Sequence, residues 1–325
     1  MDHPVDLATA LQPRPPSPLQ EVEDERFTRR GVRLLLKRED LIHTTLPRSW
    51  DIAALGPVEL YPPGNKWRKL APNLRAVAAS EHRRLLTFGG AYSNHLRATA
   101  AAGRLLGLRT VGVVRGQELA DRPLNASLAQ CAADGMLLHF VSRADYRRRT
   151  DPEWHRELLD RFGPCALIPE GGSNAAAVRG CVPLGEELRG RTDIAAVACG
   201  TGGTLAGMAA GLSAGQRALG VAVLKGGFLP GEVRRLQAET FGEPRGDWSV
   251  EERFHGGGYA RTGTELAAFA RDFSGRHGLP PLEHIYVAKL LYALTRLAEE
   301  GTFTSGSTVT AVVTGQAHPS ITDTE

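Results

Sequence analysis

Short apolar runs alternate with alanine-rich, helix-forming stretches along most of this chain, and that alternation restricts the fold more than any other feature. Arg33–Lys37, Leu85–Phe88, Thr110–Val114, Leu137–Val141, Ala166–Ile168, Ile194–Cys199, Leu219–Leu224 and Val309–Val313 read as strands. Between them, Leu70–Ala79, Asn94–Leu106, Leu124–Ala133, Thr204–Leu212 and Glu283–Glu300 read as helices. Strand, helix, strand, repeated, requires right-handed crossovers and puts helices on both faces of mainly parallel sheets. The expected fold class is α/β, with open, mainly parallel twisted sheets covered by helices. A chain of 325 residues suits about two domains. Residues 1–18, with Pro13, Pro15, Pro16 and Pro18, read as a poorly ordered lead-in.

Charge and cysteine usage narrow the function classes. A net charge of +3 is too small to argue for a nucleic-acid partner, and the densest cluster, Arg147-Arg148-Arg149, reads as a solvated helix face. Cys131, Cys165, Cys181 and Cys199 show no Cys-x-x-Cys spacing, so neither a metal site nor a redox pair is expected. No apolar run reaches the roughly 18 residues that span a bilayer. A reduced, cytoplasmic protein with no membrane partner is the expectation.

In open parallel sheets, ligands sit at the carboxyl ends of strands, where loops meet helix N-termini. Phe88–Asn94, Ala198–Thr204 and Thr314-Gly315-Gln316 fit that place. In Gly200-Thr201-Gly202-Gly203-Thr204, glycines admit close approach and free amides with threonine hydroxyls favour an anion such as a phosphate. Leu205 stands where a dinucleotide fingerprint needs glycine, and no Gly-Lys-Ser/Thr follows as in a P-loop. A plain glycine-rich turn is the alternative.

Lysine is the second signal. Of 39 lysines and arginines only five are lysine: Lys37, Lys66, Lys69, Lys225 and Lys289. Arginine cannot lose its proton near neutral pH, so only lysine can attack a carbonyl as a free amine. Lys66 follows Gly64-Asn65, and Lys69 lies about one turn further on. Lys37 sits among Arg38, Glu39 and Asp40, where charge pairing is the simpler account, and Lys225 precedes Gly226-Gly227 near a strand end. A reactive amine with a separate phosphate cradle is what pyridoxal 5'-phosphate requires.

Several ordered motifs then carry a resemblance. Leu36-Lys37-Arg38-Glu39-Asp40-Leu41, Gly64–Leu70, Gly89–His95, Pro169–Asn174, Gly200–Thr204, Leu224–Gly227, Gly257–Ala260 and Pro281–Tyr292 together resemble the 1-aminocyclopropane-1-carboxylate deaminase and D-cysteine desulfhydrase family. The resemblance implies a tryptophan synthase β-type fold, with a small domain over 69–167 and a cofactor-binding domain built from 1–68 and 168–325. It implies that Lys66 carries pyridoxal 5'-phosphate as a Schiff base and shuttles the Cα proton. Asn94 is implied as the partner of the cofactor's phenolic oxygen, Ser93 as the substrate-carboxylate contact, and Gly200, Thr201, Gly202, Gly203 and Thr204 as the phosphate loop. Tyr259 and Tyr286 match the family's substrate-facing tyrosines, and Thr314 matches the threonine beside the pyridine nitrogen. A small amino-acid substrate and a homodimer are implied as partners.

Three departures from the family pattern bear on the reaction. Residues Arg48–Pro63 look inserted directly before Lys66. Val287 stands where deaminases carry glutamate and many desulfhydrases threonine, and Gln316 replaces a glycine. The expectation is a lyase acting by β-elimination on a D-cysteine-like substrate. The alternatives are cyclopropane ring opening and a cofactor-binding paralogue with little turnover. A nucleotide-binding α/β protein is weaker, because the dinucleotide spacing fails.

Overall fold

Among the residues that the computed structural model describes (16–42, 64–258 and 261–315), ten strands form two sheets. The six-stranded sheet runs β1 (Leu19–Val22), β2 (Arg33–Lys37), β10 (Thr308–Val312), β7 (Ile194–Cys199), β8 (Arg217–Ala222), β9 (Asp247–Glu251). Only the β1–β2 pair is antiparallel; Thr310 of β10 pairs with Leu35 on one side and Ala195 on the other. The four-stranded sheet, ordered β5 (Met136–Val141), β4 (Arg109–Arg115), β3 (Arg84–Gly90), β6 (Ala166–Ile168), is parallel throughout. All eight expected strands are present. The edge strands β1 and β9 are additions: their sequences, Leu-Gln-Glu-Val and Asp-Trp-Ser-Val-Glu, carry polar residues because an edge is only half covered. Tyr259, Gln316 and the insertion at 48–63 lie outside the described residues.

The helices that shape the site are α1 (Lys66–Ala78), α2 (Asn94–Leu106), α3 (Ala175–Glu186), α4 (Gly203–Gly211) and α5 (Val287–Glu299). Helix α1 starts at Lys66 rather than Leu70. The periodicity hides this first turn, because Arg68 and Lys69 are charged yet only 3% and 1% exposed. Gly64 has φ +56°, and a Cβ there would lie 2.1 Å from the Thr314 carbonyl oxygen. The Asn65 amide donates to that same carbonyl at 3.0 Å. The chain leaving β10 thus fixes the entry of α1.

Packing sets the rest. Trp67, Leu70, Ala71 and Leu74 bury one side of α1 against Leu85 and Ile168 of the four-stranded sheet. The other side meets α3 so closely that a Cβ on Gly180 would stand 2.0 Å from the Arg68 carbonyl oxygen. Helices α3 and α4 touch in the same way, with Gly207 against the Val178 carbonyl and Gly211 against the Val182 carbonyl. Glycine at these contacts lets backbones meet without side chains between them. Helices α1, α3 and α4 therefore form a tight stack, and the N-termini of α1 and α4 open into one cavity.

Candidate active site

Lys66, Ser93, Asn94, Gly200 to Thr204, Tyr286 and Thr314, which the sequence places in five separate stretches, all line a single cavity of about 960 Å³. Lys66 is half-buried and lines this cavity. Burial pushes its amine pKa down, and the neighbouring Cys181, Glu283 and Cys199 oppose that shift. Burial raises both thiols, that of Cys199 to about 12, and raises the Glu283 carboxyl as well, with three backbone amides opposing that shift. The Tyr286 ring centroid lies 5.8 Å from Lys66 Nζ.

The opposite wall is the glycine loop. Gly202, with φ +74°, is the N-cap of α4 and makes no side-chain cap, so the first-turn amides have no side-chain acceptor. Such an end attracts an anion through its N–H groups and its dipole. Asn65 donates from Nδ2 to Thr204 Oγ1 at 3.1 Å, and Thr201 Oγ1 lies 2.6 Å from Ser173 Oγ. Lys69 donates to Ser173 Oγ at 2.7 Å and to the Gly171 carbonyl. A Cβ on Gly203 would sit 2.8 Å from Ser173 Oγ and 3.2 Å from Lys69 Nζ. Lys69 Nζ therefore stands against the loop, and as an ammonium it keeps a third donor for a bound anion. None of these partners is a carboxylate, and the cradle fits a phosphate monoester.

Lys69, Ser173 and Asn65 are site residues to which the sequence reading gave no role. The three-residue spacing of Lys69 from Lys66 was the available signal. Ser173 lies 104 residues from Lys69 and could be placed only by the fold.

Asn94 and Ser93 open α2. Ser93 is its N-cap, and Oγ accepts from the Leu96 amide at 3.3 Å, which leaves the hydroxyl proton for a ligand. Asn94 Oδ1 accepts from Arg97 at 3.3 Å, which leaves the Nδ2 donors for a ligand oxygen. Thr314 and Gly315 close the cavity where β10 ends. Val287 is 1% exposed and packs in the core of the six-stranded sheet rather than on the cavity wall. Lys37 is paired, as expected, but with distant Glu187 at 2.6 Å instead of its sequence neighbours. Lys225 is exposed and does not line the cavity. The arginine cluster is not wholly a solvated face: Arg149 lines the cavity and holds Glu170 at 2.6 Å.

Lys69 gives a pH dependence of definite sign. Burial, then the charge of Lys66, lowers its pKa from 10.5 to about 7. Between those values the unfolded chain binds more protons than the folded one, so stability rises with pH. Below about pH 7 both states are protonated and the folded state bears the full cost of the buried ammonium. The melting temperature of the ligand-free protein is expected to climb from about pH 7 to about pH 10. Lys69→Met should flatten that climb without removing it, because Lys66 and Lys289 are shifted the same way. Melting curves across this range check the point; identical slopes for variant and parent would refute it.

A desolvated amine facing a glycine-rich anion cradle, in a fold of two mainly parallel sheets, defines a class of cofactor enzyme. The chain belongs to the pyridoxal-phosphate dependent enzyme family, whose match covers residues 63–315, and pyridoxal 5'-phosphate is its cofactor. A Thermotoga maritima protein provisionally named 1-aminocyclopropane-1-carboxylate deaminase is 28% identical over 292 residues, 84% of this chain and 86% of its own. The Arabidopsis thaliana mitochondrial bifunctional D-cysteine desulfhydrase/1-aminocyclopropane-1-carboxylate deaminase is 33% identical over 165 residues, 46% of this chain and 41% of its own. A crystal structure of an ACC deaminase homologue superposes with a TM-score of 0.75 at 25% identity, covering 97% of this chain and 95% of that one. Threonine deaminase isoform 2 from Solanum lycopersicum shares the fold at 16% identity, with a TM-score of 0.62 over 93% of this chain and 79% of its own.

Proposed function

We propose that this protein is a pyridoxal-phosphate dependent lyase that eliminates from a small amino acid of the D-cysteine type, giving a keto acid and ammonia. The observation that carries the reading is the pair of buried amines on one helix. Lys66 opens onto the cavity, and Lys69 stands one turn on against the glycine loop.

When bound, pyridoxal phosphate supplies a carbonyl carbon for an amine and a conjugated ring that draws electron density from the substrate Cα. The chain supplies the rest. Lys69, the α4 amides and Thr201 would hold the phosphate, and Asn94 Nδ2 the phenolic oxygen. Thr314 would meet the pyridine nitrogen. Lys66 Nζ is the amine that would hold the carbonyl carbon and then accept the Cα proton. Burial lowers its pKa, which favours the uncharged amine that both tasks need. Ser93 would donate to the substrate carboxylate, and Tyr286 would bound the substrate on the Lys66 side. Tyr259 is assigned beside it on the family resemblance alone.

The D-cysteine preference rests on residue 287. A core valine offers no carboxylate to the pyridine nitrogen, and the neutral hydroxyl of Thr314 leaves a milder electron sink, suited to β-elimination. The names of the relatives support cyclopropane ring opening equally well, and that is the second reading.

The test is a panel of D- and L-amino acids with 1-aminocyclopropane-1-carboxylate, read by keto acid, ammonia and sulfide. Pyruvate, ammonia and sulfide from D-cysteine are expected. 2-Oxobutanoate and ammonia from the cyclopropane substrate would establish the second reading instead. A cofactor-loaded protein that releases no keto acid from any member would defeat both and leave a binding paralogue.

A further inference from the structure

Glu283, Tyr286 and Lys289 are spaced by three residues at the start of α5, and the two charged members are buried. Glu283 Oε1 accepts the Ile285 amide at 2.9 Å, and Oε2 accepts the Tyr286 amide at 2.7 Å and the Val287 amide at 3.3 Å. Tyr286 is the N-cap of α5 yet offers it no side-chain cap. The Glu283 carboxyl performs that task, with both oxygens at the positive end of the helix.

Lys289 anchors the next turn. Its Nζ donates to the carbonyls of His255 and Gly258, each at 2.8 Å, and lies 3.5 Å from that of Val223. Among the described residues it makes no ion pair with a carboxylate. Two opposite charges on one segment are thus each satisfied by backbone rather than by each other.

Buried charges are costly, and well-packed apolar residues in such places are often neutral or stabilising. What this pair provides is a backbone held on both sides of Tyr286. The ring it holds has little slack. Its centroid is 5.8 Å from Lys66 Nζ, and a Cβ on Gly200 would come within 3.3 Å of its edge.

We propose that Glu283 and Lys289 are positioning residues that fix Tyr286 against Lys66 and the glycine loop, so that both act on the reaction through Tyr286. The inference rests on the function proposed above. A displacement of about 1 Å in such a group can lower a rate by about 100-fold.

The test is a double-mutant cycle on the full chain with Glu283→Gln, Tyr286→Phe and the double variant. A parallel cycle uses Lys289→Met. Two quantities are read: kcat on the substrate that the panel identifies, and the rate constant for capture of added pyridoxal phosphate, followed by its visible band. Each single variant should lose about tenfold or more in kcat with little change in KM, and each double should be no worse than the poorer single. The capture rates should show the same non-additivity. Losses that multiply, or a Glu283→Gln enzyme with the parental kcat, would overturn the inference. Glu283→Asp replaces the glutamine variant in the cycle if that variant does not fold, and partial recovery of kcat is expected from its retained carboxylate. A parent that captures no cofactor would defeat the function reading as well, whereas an additive cycle in an active parent defeats this inference alone.

Discussion

Replacing Lys66 by alanine is expected to lower turnover by about 1,000-fold or more while leaving the fold in place. One amine is assigned two tasks, covalent hold of the cofactor and proton transfer at Cα, and general acid–base catalysis alone contributes about 100- to 10,000-fold. The side chain faces the cavity, and the hydrophobic contacts of the first turn of α1 belong to Trp67 and Leu70, so alanine removes chemistry without opening the core. Arginine at 66 should be no better, since a guanidinium stays protonated. The measurements are keto-acid release and the visible band of the loaded protein, with far-ultraviolet dichroism as the control for folding. An alanine variant that keeps a tenth of the parental activity would remove Lys66 from the mechanism.

Arg68→Met should be the most destabilising single change near the site, at roughly 3–5 kcal/mol, the usual cost of breaking a buried ion pair from one side. Arg68 Nε meets Glu39 Oε2 at 2.5 Å, and Nη1 meets Glu187 Oε1 at 2.9 Å. The Glu39 side chain is 0% exposed, and with Arg68 gone the Ser17 hydroxyl is the one side-chain donor it keeps among the described residues. Glu187 is better placed, because Lys37 still holds it. Denaturant unfolding of Arg68→Met against the parent measures the loss. Pairing it with Glu39→Gln removes the orphaned charge and should recover part of the stability. A single variant within about 1 kcal/mol of the parent would show that the network is dispensable.

Most of the fold was legible because its strands are buried on both faces and read as apolar runs. The strands Arg33–Lys37, Ala166–Ile168 and Ile194–Cys199 have the bounds that their sequences suggest. The edge strands β1 and β9 and the first turn of α1 were not: those edges are only half covered, and the charged residues of α1 are satisfied by partners far away in sequence. Arg68 looks like surface until Glu39 and Glu187 are brought to it. The same holds in the site. Lys66 and the glycine loop are local signals, a rare residue in context and a turn composition. The roles of Lys69 and Glu283 rest on what they touch, and neither the Ser173 hydroxyl beside Lys69 nor the amides under Glu283 can be read from composition. Val287 shows the converse, a conspicuous sequence difference whose side chain the structure turns into the core.

The bond from the Asn65 amide to the Thr314 carbonyl has a consequence for how the protein is made. Synthesis runs from the N-terminus, and Lys66 leaves the ribosome long before residue 314 exists. Until β10 inserts between β2 and β7, the first turn of α1 lacks its anchor and the six-stranded sheet lacks its middle. Pairings of such long sequence separation form slowly, since the loop must close before any contact rewards it. A nascent chain therefore carries Lys66 without its anchor until β10 has been made, and under the proposed function cofactor capture becomes an event that waits for that strand.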